Sequence, residues 1–289
     1  MYFDLSGAEL FLAYLEGKTS EKDIFEHPAY QIVLKHAEKF SSALTDNDIN
    51  NALQGKQSNF YGLNNVAKNT MRIKAFLETL RSNQNAWSDI VHEALLDFFP
   101  DENLKIPIYP IIGYDKGIGF NGAVCLNLNC VSYLNEPFEF LAYIIHECIH
   151  VIYERYHHIP NLDEVITPAQ WKNYFSLWTQ NEGYAVFVPY QFRLQHRLMD
   201  EPDYQVLSNS DQIKENKSAF LDVWNWLDKN EPHTQEEYLE SCFGSQRLTY
   251  RVGCLIYQKI EEQGGRAATQ EAFLMDWNKF LQQYMVLLK

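Results

Sequence analysis

The chain has 289 residues, 46% of them hydrophobic, enough to bury a sizeable core as one large domain or two lobes. Its 24 lysines and arginines face 38 aspartates and glutamates, a formal charge of −14. A phosphate backbone or an anionic lipid surface would be repelled over most of such a surface, so nucleic acid is not an expected partner.

The first residues, "MYFDLSGAELFLAYLEGKTSEKD", have no basic leader, carry Asp4 and Glu9 inside the apolar run and lack a small-residue cleavage site. No stretch has the uninterrupted apolar length of a membrane span. The expected location is therefore cytoplasmic, with no membrane partner. The five cysteines, Cys125, Cys130, Cys148, Cys242 and Cys254, are odd in number and form no C-x-x-C pair, so they read as buried free thiols.

In chain order, Ser6 followed by Glu9 has the pattern of a capping box, and Gly17 ends the apolar-periodic run that follows, which predicts a helix over 7–16. Two further helices are expected near 28–43 and 63–99. In the second, Ile73, Phe76, Leu77, Leu80, Trp87, Ile90, Val91 and Leu95 recur at spacings near 3.6. The first third therefore reads as all-helical. At Pro100 the texture changes. "LKIPIYPII" and "GAVCLNLNC" read as two strands joined, as a loop or a wide hairpin, by the glycine-dense "GYDKGIGFNG", with Pro107 and Pro110 placing the first at a sheet edge. "GIGFNG" matches G-x-G-x-x-G, but a dinucleotide fingerprint needs a helix to begin at those glycines, and the residues that follow alternate like a strand.

A long helix is expected through "PFEFLAYIIHECIHVIYERYHH", with Pro137 in its first turn. Thr167 caps the next, which starts at Pro168 and has possible breaks at Gly183 and Pro189. Helices near 208–229, 234–263 and 267–288 complete the chain, with Gly264-Gly265 as a stop between the last two.

The stretch "IHECIHV" carries the chemistry. Four residues advance a helix by about 400°, so His146 and His150 share one face and can reach a single ion. Glu147 beside them has the place of a base that takes a proton from a water activated by zinc. The alternative is a pair of core histidines satisfied by hydrogen bonds. A third histidine six residues beyond His150 would need a glycine at 153; Tyr153 stands there and Tyr156 at the ligand position, with His157 one residue late, so that class is excluded. His157 and His158 read as polar residues at a helix end, where a cation suits the dipole. A better third ligand is Glu182 in "WTQNEGYAVF", after 31 intervening residues, a length that suits a second helix antiparallel to the first.

The segment Trp178, Asn181, Glu182, Gly183, Tyr184, Ala185, together with H-E-x-x-H, resembles the gluzincin metallopeptidases, particularly the "NEG-aromatic-A" form of the alanyl aminopeptidases. The layout of the whole chain is also similar to that of uncharacterised predicted zinc-dependent proteases of bacteria. The resemblance implies Zn2+ held by His146, His150 and Glu182, Glu147 as general base, and a mainly α fold with a small mixed sheet, zincin-like, with a C-terminal helical lobe. With the change of texture at Pro100, the expected organisation is an N-terminal helical region, 1–99, and a zincin-like catalytic region, 100–289, packed as one unit with a cleft. The gap before Glu182 is longer than in the aminopeptidases, and no "GAMEN"-like segment lies upstream, so the likeness carries the zinc chemistry and not the capture of a free amino terminus.

The expected activity is hydrolysis of a peptide or small protein substrate. Alternatives are a metal-binding zincin-like interaction domain without turnover and a zinc hydrolase of a small amide. In zincins a rim strand pairs with the extended substrate, and "AVCLNLN" is placed for that role unless it is a core strand with Val124, Leu126 and Leu128 inward. Gluzincins also use a tyrosine or histidine donor to the developing oxyanion. By this resemblance Tyr250 in "RLTYRVGCLIYQKIEEQGG" is a candidate, with Arg247, Arg251 and Tyr257 as alternatives and a packing role for Tyr250 also open.

Overall fold

A computed structural model describes residues 1–40, 43–100 and 103–288. The fold is mainly α with a small mixed sheet, and the chain divides into two compact units, Met1–Val151 and Ile152–Lys289. Among the described residues no helix is long and apolar enough to cross a membrane.

The first unit opens with β1 (Tyr2–Phe3), α1 (Ser6–Leu15), α2 (Glu21–Glu26), α3 (Pro28–Phe40), α4 (Asp48–Leu53) and α5 (Val66–Leu96). It continues with β2 (Pro107–Ile111), β3 (Gly117–Phe120), β4 (Ala123–Asn127), α6 (Val131–Asn135) and α7 (Pro137–Tyr156), whose last turn belongs to the second unit. The apolar stripe of α5 is buried as its periodicity requires, except at the half-buried Ile90. The helix expected at 28–43 ends at Phe40, and residues 41–42 lie outside the described residues. The Ser6–Glu9 capping box does not form. Asp4 accepts the Ser6 N–H at 3.0 Å instead, and Glu9 pairs with Arg81 at 2.5 Å.

The sheet runs β1-β2-β4-β3, with β1, β2 and β4 parallel and β3 antiparallel to β4. Three expectations change here. The all-helical first third contains β1. The glycine-dense loop contains β3. And β2, despite its prolines, lies inside the sheet. In β2 the Ile106 and Ile108 carbonyls accept from Tyr2 and Asp4, while the Ile111 carbonyl on the other side accepts from Leu128. Neighbouring residues alternate in the direction of their N–H. The Pro107 nitrogen therefore faces β4 before that pairing begins at Ile108, and the Pro110 nitrogen faces β1 beyond its end. Neither position needs a donor, so proline costs no ladder bond.

The second unit holds a one-turn 3-10 helix (Leu162–Glu164), then α8 (Pro168–Phe187), α9 (Tyr190–His196), α10 (Pro202–Leu207) and α11 (Ser210–Asp228). After these come α12 (Gln235–Phe243), α13 (Leu248–Leu274), α14 (Trp277–Tyr284) and a last 3-10 turn (Met285–Leu288). Every residue from Tyr174 to Phe187 is buried, which makes α8 the axis of this unit, packed on α11, α12, α13 and α14. Thr167 and Gln170 form a complete capping box at its start. The helix runs through Gly183 and breaks before α9, beside Pro189. The single helix expected over 234–263 is interrupted at Gly244. Gly265, at φ 71° and ψ −169°, kinks α13 where the glycine pair predicts a stop. The helix expected over 267–288 is likewise divided, by Asp276, which caps α14.

Candidate metal centre

On α7 the residues Tyr143, His146, Glu147 and His150 follow one another at i, i+3, i+4 and i+7 and so share a face. Tyr143, His146 and His150 are half-buried; Glu147 is only 6% exposed. The two imidazole Nε2 atoms lie 3.2 Å apart. Two zinc–nitrogen bonds of ordinary length at a tetrahedral angle separate their nitrogens by about 3.3 Å, so the pair fits a common ion.

Glu147 is held from the sheet side by glycines. A methyl group on Gly117 would come within 2.8 Å of Glu147 Oε1, and one on Gly119 within 1.9 Å of the Glu147 carbonyl oxygen. Alternate residues of β3 therefore lie directly on α7, and only glycine permits the approach. The sequence showed these glycines, but their density reads as a loop. The signal that would have identified a strand is their spacing of two. Close by, burial and then the Glu147 carboxylate push the Cys125 thiol well above its usual range, so this cysteine is inert. None of the five cysteines forms a disulfide, and of the five Cys130 is half-buried and the others buried.

Around this face the unit adds groups that the sequence reading passed over. The Lys116 ammonium donates to the Tyr143 hydroxyl and lies 4.3 Å from the centre of its ring. His36 of α3 lies among Phe40, Tyr114 and Phe120, with Nδ1 3.0 Å from the Tyr114 hydroxyl. Burial, then the neighbouring His150 and Lys39 charges, push its pKa down to about 4, so it is neutral at pH 7.

In the second unit Glu182, also 6% exposed, precedes the tightest point of the α8–α13 crossing. A methyl group on Gly183 would meet the Gly253 Cα at 2.5 Å, and one on Gly253 would meet the Thr179 carbonyl oxygen at 2.4 Å. This crossing brings Tyr250, three residues before Gly253, to Glu182, and the phenol is hydrogen-bonded to the carboxylate. Burial, then the Glu182 charge, push the Tyr250 phenol well above its ordinary range, so it is a proton donor throughout neutral pH. The Arg247 guanidinium stacks 3.6 Å from the centre of the Tyr250 ring. Arg247 and Arg251 are both engaged by Asp203 of α10, 2% exposed, at 2.8–3.0 Å. Tyr257 is buried among Tyr184, Phe187 and Phe280. Two residues before Glu182, Gln180 accepts from Tyr153 at 2.6 Å and donates to the Ala272 and Met275 carbonyls.

One expectation about a residue is corrected and one open alternative is decided. His157 stands at the end of α7 as expected, but it is buried and burial lowers its pKa, so it is not a cation there at neutral pH; its Nε2 lies 2.8 Å from the Phe273 carbonyl and its ring stacks on Tyr153 at 4.1 Å. Of the two readings of β4 the core strand holds, since it is buried at all five positions and paired on both sides; the edges of the described sheet are β1 and β3.

His146, His150 and Glu182 form a group that could hold a metal ion, one ligand atom from each lying within 4.8 Å of the others. Two imidazole nitrogens and a carboxylate oxygen are a donor set that zinc accepts. No curated protein and no solved structure matches the chain. A family model does match, over residues 22–289, and its description is "Putative zinc dependent peptidase". With that match covering nearly all of its length, the chain belongs to the DUF5700 family.

Proposed function

We propose that this protein is a zinc-dependent peptidase of the gluzincin type, with His146, His150 and Glu182 as ligands and Glu147 as general base. The observation that carries this reading is the convergence of those three side chains, with the two Nε2 atoms at the separation a shared zinc ion requires. Zinc bound there supplies a Lewis acid and brings the pKa of water toward neutrality. Glu147, one residue from His146 and little exposed, takes the proton of the attacking water and delivers it to the departing amine. Tyr250, a protonated phenol hydrogen-bonded to Glu182, is our candidate for the donor to the developing oxyanion. The substrate is a peptide or small protein, and β3, an edge strand of the described sheet, replaces β4 as the strand that an extended chain would join.

The test is Glu147→Gln, which keeps the shape but cannot accept a proton. Zinc content by elemental analysis should stay at the parental level while cleavage of an unbiased peptide library, read by mass spectrometry, disappears. Cleavage at the parental rate would sink the mechanism. Loss of zinc in Glu147→Gln would make Glu147 a ligand rather than a base.

A further inference from the structure

Resting on the peptidase reading, we propose that Lys116 and Tyr143 form a carboxylate-binding subsite beside the metal centre. It would select substrates with an anionic group within about three residues of the scissile bond.

The placement of Lys116 carries this inference. Its backbone is fixed, because its carbonyl accepts from the Asn127 N–H at 3.1 Å and from the Tyr133 hydroxyl at 3.2 Å. The next residue is Gly117, the glycine that lies against Glu147 Oε1. From there the side chain reaches Tyr143, one helical turn before His146 and Glu147, with the Tyr143 and His146 ring centres 6.2 Å apart. The ammonium, half-buried, has a neutral phenol as its hydrogen-bond partner rather than a carboxylate. The adjacent Asp115 carboxylate accepts the Lys116 backbone N–H at 2.7 Å. Lys116 Nζ is 4.3 Å from the Tyr143 ring centre, so its charge lies at most about three residues' length from the His146 ring centre at a chain rise of about 3.3 Å per residue. An ammonium with two remaining donor hydrogens at that distance suits a carboxylate of the substrate.

The charge of the whole chain sharpens the point. At −14 the protein repels anionic ligands in general, so a substrate with a carboxylate at this position needs a local cation. A free chain terminus and an acidic side chain present the same chemistry, and the experiment separates them.

Four N-acetylated peptides of otherwise neutral sequence serve as probes: one with a free C-terminus, its C-terminal amide, and two amidated peptides differing only by Glu or Gln beside the expected cleavage point. Their affinities for zinc-loaded Glu147→Gln protein are measured by calorimetry, alone and combined with Lys116→Met or Lys116→Arg. A carboxylate-bearing peptide should bind roughly tenfold or more tightly than its neutral counterpart. That ratio should fall toward one with Lys116→Met and survive with Lys116→Arg. The pair with the larger ratio names the source. Equal binding of all four peptides, or a preference that Lys116→Met leaves intact, overturns the subsite. Turnover by the parent protein keeps the two readings apart. Cleavage of charged and neutral peptides with equal kcat/KM overturns the subsite and keeps the peptidase. No cleavage, with the charge preference still present in calorimetry, overturns the peptidase and keeps the subsite.

Discussion

The two units solve one problem in different ways. Each must bring a glutamate to a fixed place while packing backbone against backbone, and each does so with a pair of glycines. In the first unit Gly117 and Gly119 let an edge strand lie on the helix that carries Glu147. In the second, Gly183 and Gly253 let two helices cross at the residue after Glu182. Glycine weakens both strands and helices in isolation, by about 0.5–1 kcal/mol relative to alanine. Its use at four such points shows that close approach outweighs local propensity there.

The comparison breaks most severely if a methyl group is added where backbone is the obstacle. Gly119→Ala meets the Glu147 carbonyl and Gly253→Ala meets the Thr179 carbonyl, neither of which can swing aside. Each should lose roughly 3 kcal/mol or more of stability, at the upper end of overpacking effects. Urea denaturation of the purified variants measures it, and a loss below about 1 kcal/mol in either would show that the close approach relaxes easily.

Gly117→Ala sharpens the contrast, because its new methyl meets only side-chain atoms, Leu126 Cδ2 at 2.7 Å and Glu147 Oε1 at 2.8 Å. Those atoms can move, so the stability loss should be about 1 kcal/mol. The carboxylate is displaced, however, and if Glu147 is the base we propose, misplacing it by an ångström can cost on the order of a hundredfold in rate. Melting temperature and kcat are to be compared. A variant with both unchanged would remove Glu147 from contact with β3.

How far the sequence reveals these features depends on whether the cause is local. The α5 stripe, the Thr167 cap, the Pro137 start and the stop at Gly264-Gly265 depend on neighbours within a turn or two, and all are visible as periodicity or capping residues. The H-E-x-x-H face is equally local. What was hidden depends on partners distant in sequence. Two-residue β1 exists only because β2 pairs with it, and the glycine strand β3 looks like a loop until α7 lies over it. Ser6 and Glu9 have the spacing of a capping box, but Asp4 and Arg81 claim their hydrogen bonds. Lys116 and Asp203 carried no motif at all, since their roles depend on Tyr143, 27 positions away, and on Arg247 and Arg251, 44 and 48 positions away.

Tyr250 tests the second unit alone. Its phenol is bound to Glu182, the ligand we propose, and partners that orient a ligand typically contribute 10–100-fold to metal affinity. Tyr250→Phe should therefore weaken zinc binding about tenfold, measured by competition with a chelator, without altering the fold, since the ring that stacks on Arg247 is kept. Zinc affinity at the parental level together with a hundredfold lower kcat would instead give the phenol to the oxyanion alone.

The smallest expected effect again compares the units, through one histidine in each whose pKa is lowered by burial. Burial pushes down the pKa of His36 in the first unit, to about 4, and that of His157 in the second. Above the ordinary histidine value of 6.5 both are neutral in folded and unfolded chains, and they add no dependence on pH. Below it the unfolded chain takes up protons that the folded chain refuses, so unfolding becomes easier as pH falls. For His36 the loss runs from about 6.5 down to about 4, the interval between its two values. His36→Phe suits the aromatic surroundings of Phe40, Tyr114 and Phe120 and should flatten the fall in stability across that interval. His157→Gln should likewise flatten part of the fall below 6.5. Denaturation series at pH 7.5, 6 and 5 give the slopes. Slopes identical to the parent's would mean that neither histidine changes protonation on unfolding.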